Sequence, residues 1–261
     1  MAISWLKKGA ESVQVAKQEA VAQEIRKEEA GGMFRFWLKV GEDKVFITFV
    51  DGELDAQGFL VPPRYYEHNL FLDGHYGNHF VCPEKTAPQL GEHCPICATG
   101  DRPQLMSLFT VIDHRQFPST KEPGKIYKDG AKLFVANTQA METLNKIAVK
   151  RNGLAGCTFE VSRVGDKSPR VGSMFDFEKK TPIDELVKQY MQEVVDPKTN
   201  AKSMVSIFVP ADYEKEIIFR TGEQLAAKGF GAPQVSGYGS GSNTPAEKAE
   251  DAPPTDYASQ L

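Results

Sequence analysis

Seven histidines and cysteines, able to bind a metal or do thiol chemistry, fall in one stretch of the chain, 68–97: His68, His75, His79, Cys82, His93, Cys94 and Cys97. Two thiolates at Cys-x2-Cys spacing can chelate one ion from a tight turn, and Pro95 inside that turn helps to pre-form it. Eleven residues separate Cys82 from Cys94, with Pro83, Pro88 and Gly91 shaping the loop between them. Zinc takes four tetrahedral ligands from Cys and His, and a site closed by four protein ligands stabilises a fold rather than catalysing a reaction. Three Cys and one His would close such a site. The spacing leaves the histidine open. His79 gives a His-x2-Cys…Cys-x2-Cys pattern, and His68, on an expected strand, can reach across. His93 is the weakest candidate, because adjacent residues rarely reach one ion together.

A Cys-x2-Cys pair can instead cycle between dithiol and disulfide, which would make Cys94/Cys97 an oxidoreductase centre. That motif belongs at a helix start after a strand in an alternating α/β pattern. Here Pro/Gly-rich loops flank it and a third cysteine is near. Zinc deaminase chemistry needs His-x-Glu and Pro-Cys-x-x-Cys. His75-Tyr76-Gly77 and His79-Phe80-Val81 lack the glutamate, and Pro95 lies inside the cysteine pair rather than before it. Cys157 opens an expected strand far from the others and reads as a buried core thiol.

A second pattern interleaves aromatics with cations: Phe34-Arg35-Phe36-Trp37, Arg64-Tyr65-Tyr66, Arg115-x-Phe117, Lys125-x-Tyr127-Lys128 and Lys132-x-Phe134. A cationic groove lined by rings that stack bases is the general device of proteins that hold single-stranded nucleic acid without reading its sequence. Alternation along strands would equally bury some of these rings, and Phe36, Phe46 and Phe134 are assigned to the core. The expected binding face comprises Arg35, Trp37, Arg64, Tyr65, Tyr66, Arg115, Phe117, Lys121, Lys125, Tyr127, Lys128 and Lys132. No nucleophile–base pair or paired carboxylate set is evident, so no enzymatic activity is expected.

The elements that carry these residues are mostly strands. Residues 33–40 and 44–50 alternate large apolar and other residues around Gly41, Glu42 and Asp43 and predict a hairpin. Residues 66–72 and 106–113 predict strands, and 124–137 predicts two strands joined at Asp129-Gly130. Asn137 or Thr138 caps a helix that ends before Gly153. Residues 157–164, 173–179 and 204–209 predict further strands, and 181–194 and 212–228 predict helices. Five or more antiparallel strands with a helix among them give a mainly β fold with α (α+β), an OB-fold-like β-barrel. The expected organisation is a basic, helical N-terminal arm over 1–32, a core over 33–228 with the zinc module at 66–103, and a disordered acidic tail over 229–261.

The chain has 261 residues, 41% of them hydrophobic and 25% charged, enough for a sizeable core. No apolar run reaches the length of a membrane span, and MAISWLKKGAES has no apolar signal region, so neither is expected. Clustered cysteines in such a chain read as metal-binding rather than disulfide-forming. The net charge is −4, which does not mark a basic protein, but it is unevenly spread. Residues 143–170 carry six cations and two acids, whereas 231–261 carry four acids and one lysine. The local field, not the total, steers an anionic ligand.

Phe36-Trp37-Leu38, Ile47 to Gly52, Glu67-His68, Cys82, Cys94 to Cys97 and Phe109 to Asp113 together resemble the zinc-containing single-stranded DNA-binding proteins of tailed bacteriophages. The resemblance spans roughly residues 33–180. More distantly, the chain is similar to the helix-destabilising proteins of the T-even phages, which insert a His-plus-three-Cys zinc module into an OB-fold. Both place the histidine well upstream of the first cysteine, so the resemblance implies His68, Cys82, Cys94 and Cys97 as ligands of Zn2+. It further implies non-specific, cooperative coating of single-stranded DNA in replication, recombination and repair, in the cytoplasm of an infected bacterial host. Lys7 and Lys8 look like a self-association arm. The acidic tail looks like a docking segment for phage replication proteins such as polymerase, helicase/primase or recombinase, although Lys248 interrupts its acidity. The alternative from another class is a zinc-stabilised regulator that binds proteins and has no DNA role.

Overall fold

The computed structural model describes residue 13 and residues 32–41, 44–72, 75–118, 124–195 and 201–231. Lys7, Lys8, the helical stretch expected in the arm, the turn residues Glu42 and Asp43, Lys121 and the tail beyond Gly231 lie outside the described residues. Among the described residues no helix is long and apolar enough to cross a membrane.

The strands are β1 (Val45–Phe49), β2 (Arg64–Leu72), β3 (His75–Val81), β4 (Gln104–Pro118), β5 (Ile126–Asn137), β6 (Cys157–Ser162), β7 (Met174–Lys180), β8 (Met191–Val195) and β9 (Lys202–Ser206). The first seven form one antiparallel sheet in the order β3-β2-β4-β1-β6-β7, with β5 on β4 as well. Strand β4 is long enough to pair β2 through Gln104–Ser107 and β1 through Val111–Asp113. It therefore joins the β2–β3 hairpin to the rest of the sheet. The fold is mixed α+β and mostly antiparallel, as expected.

The sheet is open and does not close into the OB-fold-like barrel expected: among the described residues no ladder joins β5 to β7. Residues 33–38 stand in that gap. Phe36 N donates to Leu133 O (2.8 Å), Leu133 N donates to Phe34 O (2.9 Å), and Leu38 N donates to Arg170 O (2.8 Å). This segment bridges β5 at Arg35–Leu133 instead of forming the expected hairpin with β1. Burial decides the outcome, because Phe36 and Leu38 enter the core from the gap.

That core is a cluster of rings. Phe49 lies 5.8 Å from Phe109 and from Phe159, edge to face, and 5.2 Å from Phe134, while Phe36 stacks on Phe134 at 5.8 Å. Helix α3 (Thr138–Arg151) covers it with Ala140, Met141, Leu144 and Ala148, one helical face. Its start follows the expected chemistry, with the Asn137 side chain accepting from Ala140 N. Phe46, assigned to the core from its apolar character, is 43% exposed, because Val45, Ile47 and Phe49 take the inward positions of β1.

Asp129-Gly130 does not divide two strands. Strand β5 runs through it, and the left-handed conformation of Asp129 (φ 58°) is absorbed by a bulge opposite Asp113–Gln116. His114 Nδ1 lies 2.6 Å from Asp129 Oδ1 and pins this bulge. The helix expected over 181–194 stops early as α4 (Ile183–Gln189) and gives way to the β8–β9 ribbon. The helix expected over 212–228 is two short ones, α5 (Tyr213–Glu216) and α6 (Gly222–Ala227). Ile217, Ile218 and Phe219 favour extended backbone there, and Thr221 restarts the helix with a capping box to Gln224.

Residues 207–231 run as a strap across the molecule. Phe208 stacks on Tyr190, the Tyr213 hydroxyl donates to the half-buried Asp51 carboxylate, and Leu225 and Phe230 pack against the cysteine cluster.

Candidate metal centre and cationic surface

Strands β2 and β3 place the two halves of this site by register. His68 pairs with Phe80, and Cys82 follows two residues later, hydrogen-bonded through its amide to Tyr66 O (2.8 Å). Tyr66, His68, Phe80 and Cys82 therefore share one face of the hairpin. Both Cys82 and Cys94 precede a proline, which holds each cysteine extended and starts a short helix: α1 (Pro83–Thr86) and α2 (Pro95–Ala98). Cys97 lies within α2, one turn from Cys94. The Cys94 amide donates to Glu84 Oε2 at 3.0 Å, which ties the two cysteine turns together.

The ligand atoms of His68, Cys82, Cys94 and Cys97 all lie within 4.8 Å of one another. His68 Nε2 is 3.4 Å from Cys94 Sγ and 3.6 Å from Cys97 Sγ, and Cys82 Sγ is 3.6 Å from Cys97 Sγ. Tetrahedral zinc with its usual bond lengths separates sulfur from sulfur by about 3.8 Å and sulfur from nitrogen by about 3.6 Å. The four side chains lie close enough to hold a metal ion, and the donor set fits zinc. Three of the four residues are buried and the fourth is half-buried, so the site is closed. His68 Nδ1 lies 2.5 Å from Asp101 Oδ2, the kind of partner that fixes the ring of a metal-binding histidine.

The electrostatics do not make Cys97 a reactive thiol. Burial, then the contacts with Cys82 and Cys94, push the Cys97 thiol well above the usual thiol range. A nucleophilic or redox cysteine needs the opposite shift. Burial opposes protonation of His68, but Cys94 and Asp101 outweigh it and raise its pKa. Cys157 is fully buried, and its thiol donates to Gly153 O (3.6 Å) far from the cluster, as expected.

His79 faces the other way. It pairs with Asn69 on the opposite side of the hairpin, and its Nδ1 lies 2.8 Å from Glu67 Oε1. Glu67 also receives Arg35 (2.6 Å) and the Tyr65 hydroxyl. Burial alone would raise the Glu67 pKa, but His79 and the Arg35 guanidinium reverse this and hold it down, at about 2. One strand thus presents His68 to the metal cluster and Glu67 to a buried charge network.

The residues expected on a nucleic-acid face divide into groups. Arg115, Phe117, Lys125, Tyr127 and Lys132 come together where β4 and β5 run on past the core. Phe117 pairs with Tyr127 across the ladder. The Arg115 guanidinium lies 5.4 Å from the Phe117 ring, Lys132 Nζ lies 5.1 Å from it, and Lys125 Nζ lies 5.2 Å from the Tyr127 ring. Lys128 is exposed beside them. Asp113 anchors Arg115 through paired contacts of 2.7 and 3.0 Å. Phe34, absent from the expected face, is 75% exposed with Lys132 Nζ 4.8 Å from its ring. The signal for it was present in the alternation, since Phe34 and Phe36 share a side and only Phe36 reaches the core.

Tyr65 does not reach the surface: it is 5% exposed and packed with Val81, Leu108 and Leu133. Arg35 is committed to Glu67. Tyr66 is half-buried against the cysteine cluster, with Lys85 Nζ 5.9 Å from its ring. Arg64 is exposed but pairs with Ser107, ten residues along β4 from Phe117, about 30 Å at the rise of a strand. Trp37 is half exposed and lies on the side of the 33–38 segment away from Phe34.

No protein-family model, no curated protein and no solved structure matches this chain.

Proposed function

We propose that this protein coats single-stranded DNA without reading its sequence, as a phage protein of replication, recombination and repair, and that its metal is a structural zinc ion. The observation that carries the reading is the surface at the β4–β5 edge, where Phe34, Phe117 and Tyr127 stand exposed or half-exposed, each with a cation within about 5 Å of its ring. Such rings accept stacked bases of any identity, and the cations meet the phosphates between them. The order β1, β4, β5, α3, β6, β7, with β1 central and the β2–β3 metal hairpin inserted after it, supports relating the curled sheet to the five-stranded, partly open OB architecture. The closed donor set supports a stabilising rather than catalytic ion, and the protein acts by binding rather than as an enzyme. On this reading the arm with Lys7 and Lys8 docks on a neighbouring copy along the strand. The tail meets other replication proteins in the host cytoplasm.

The test is titration of the zinc-loaded full chain with a fluorescent oligo-dT at two salt concentrations, alongside Lys132→Ala. Tight binding should weaken steeply with salt, with a slope of about −0.7 per phosphate neutralised. Lys132→Ala should make that slope shallower by about one contact. Absence of binding at low salt would sink the coating function, leave the metal site standing, and favour a protein-binding regulator.

A further inference from the structure

The β8–β9 ribbon stands apart from the main sheet. It is fastened at its base, where Ile207 N donates to Tyr190 O (3.0 Å) and where Tyr190 and Phe208 sink into an apolar cluster. That bond fixes which backbone groups face outward. Tyr190–Ile207 continues the ladder as a hydrogen-bonded pair, so Gln192–Val205 and Val194–Ser203 are hydrogen-bonded pairs too. Lys202, Met204 and Ser206 therefore direct their backbone N–H and C=O groups away from β8. Among the described residues no strand pairs with that edge.

An open strand edge is a template for another strand unless charge or proline blunts it. The edge strand β7 of the main sheet is guarded in this way, with Asp176, Glu178, Lys179 and Lys180 exposed along it. Strand β9 is not. It has no proline, residues 202–205 are all exposed, and its single charge, Lys202, is paired with Glu193 (2.8 Å). Met204, at its centre, is 58% exposed. The strand is also complementary to itself. Turned about a two-fold axis at Met204, it sets Met204 against its own counterpart, Lys202 against Ser206 and Ser203 against Val205, with no like charges opposed. In this register the three outward residues all fall in hydrogen-bonded pairs. The same operation about the centre of β8 would oppose Glu193 to Glu193.

We propose that two copies of this chain pair through their β9 edges, antiparallel about Met204, and so join their ribbons into one four-stranded sheet. The two-fold axis closes the assembly, because both β9 edges are used and Glu193 opposes growth through β8. Five paired residues on each side make a small interface, of the class that associates weakly and reversibly. The pairing uses neither the metal cluster nor the rings at the β4–β5 edge. It does not rest on strand coating, and it is separate from the arm with Lys7 and Lys8.

Sedimentation of the zinc-loaded full chain without DNA, over a rising concentration series, tests this. The mass should climb from one chain toward two and stop there. Met204→Pro removes an outward N–H that β8 does not use, and with it both hydrogen bonds of the central pair, so the dimer should weaken by about tenfold or more. Met204→Lys sets two cations across the axis and should weaken it as well. Lys7→Ala/Lys8→Ala should leave it unchanged. Under mild oxidation Met204→Cys should cross-link two chains, since a hydrogen-bonded pair holds its Cα atoms about 5.5 Å apart, within disulfide reach. Glu193→Cys should not. A single-chain mass throughout, a dimer that survives both Met204→Pro and Met204→Lys, or cross-linking as fast through Glu193→Cys would each overturn the pairing. Oligo-dT binding by a chain that never dimerises would sink the pairing alone. A dimer that binds no oligo-dT would sink strand coating alone.

Discussion

Two buried clusters hold this molecule together by different means. The phenylalanine core gathers nineteen buried residues from four strands, helix α3, the 33–38 segment and three loop positions. The cluster at the metal site gathers five, two of which are cysteines. The first buries enough apolar surface to stabilise itself at about 25 cal/mol per Å2. The second cannot, because two four-residue helices and the loops that join them offer little to bury against the entropy of ordering them. On the proposed reading, the ion supplies what is missing. The difference shows where a covalent-like staple is needed: not where strands cross, but where a loop-rich insertion leaves the sheet. The strap depends on that staple, because Leu225 and Phe230 pack on the cysteine cluster and Gly222 sits so close to His93 that a Cβ there would fall 2.1 Å from its carbonyl oxygen.

Removing the ion should therefore separate the two clusters. Stripping with a chelator, or Cys97→Ser, should abolish metal retention and expose the cysteine turns and the strap to amide exchange. Amides of Ile47, Val111 and Phe159 should stay protected. Structural zinc contributes roughly 10–16 kcal/mol of apparent binding energy in small zinc-folded modules, so this is the largest effect expected. Equal loss of protection in both regions would show that the molecule is one cooperative unit, and the distinction would fall.

The converse change is Phe49→Ala. Phe49 is fully buried, and its ring meets Phe109, Phe134 and Phe159. Its removal should cost about 3–5 kcal/mol of global stability in a denaturant titration. Metal stoichiometry of the folded fraction should stay at one per chain. A variant that keeps its stability but loses its metal would invert the comparison.

Much of this division was legible in the residues. The three cysteines, the β2 and β4 strands, the Asn137 cap and helix α3 all read from type and spacing. The choice of histidine did not follow from spacing, since it turns on the face of a hairpin whose second strand, β3, reads as loop from its glycine and histidines. Once His68 pairs with Phe80, alternation sends His79 to Glu67. The 33–38 segment and Asp129-Gly130 misled for a related reason. Alternation and turn propensity are local signals, but which edge a strand joins is decided by what it buries. Tyr65 read as a surface ring because nothing local reports that Val81 and Leu133 cover it. The surplus of cations over 143–170 was visible, but only the fold sets Arg102 around one cavity with Lys167 and Arg170.

The smallest effect is the most specific. Asp101 accepts from His68 Nδ1 and touches no sulfur ligand in any contact described above, so Asp101→Asn removes a charge beside the metal site while leaving all four ligands in place. Such partners orient the ring and raise its basicity, and their loss costs about 10–100-fold in metal affinity. Competition against a chelating dye should show a weakening of that size, with the fold retained. Glu67→Gln, one residue from His68 but on the opposite face, should disturb the Arg35–His79 network and leave metal affinity near the parent value. If both substitutions weaken the metal equally, the two faces of β2 are not independent. The ion would then hold the charge network as firmly as it holds the cysteine turns.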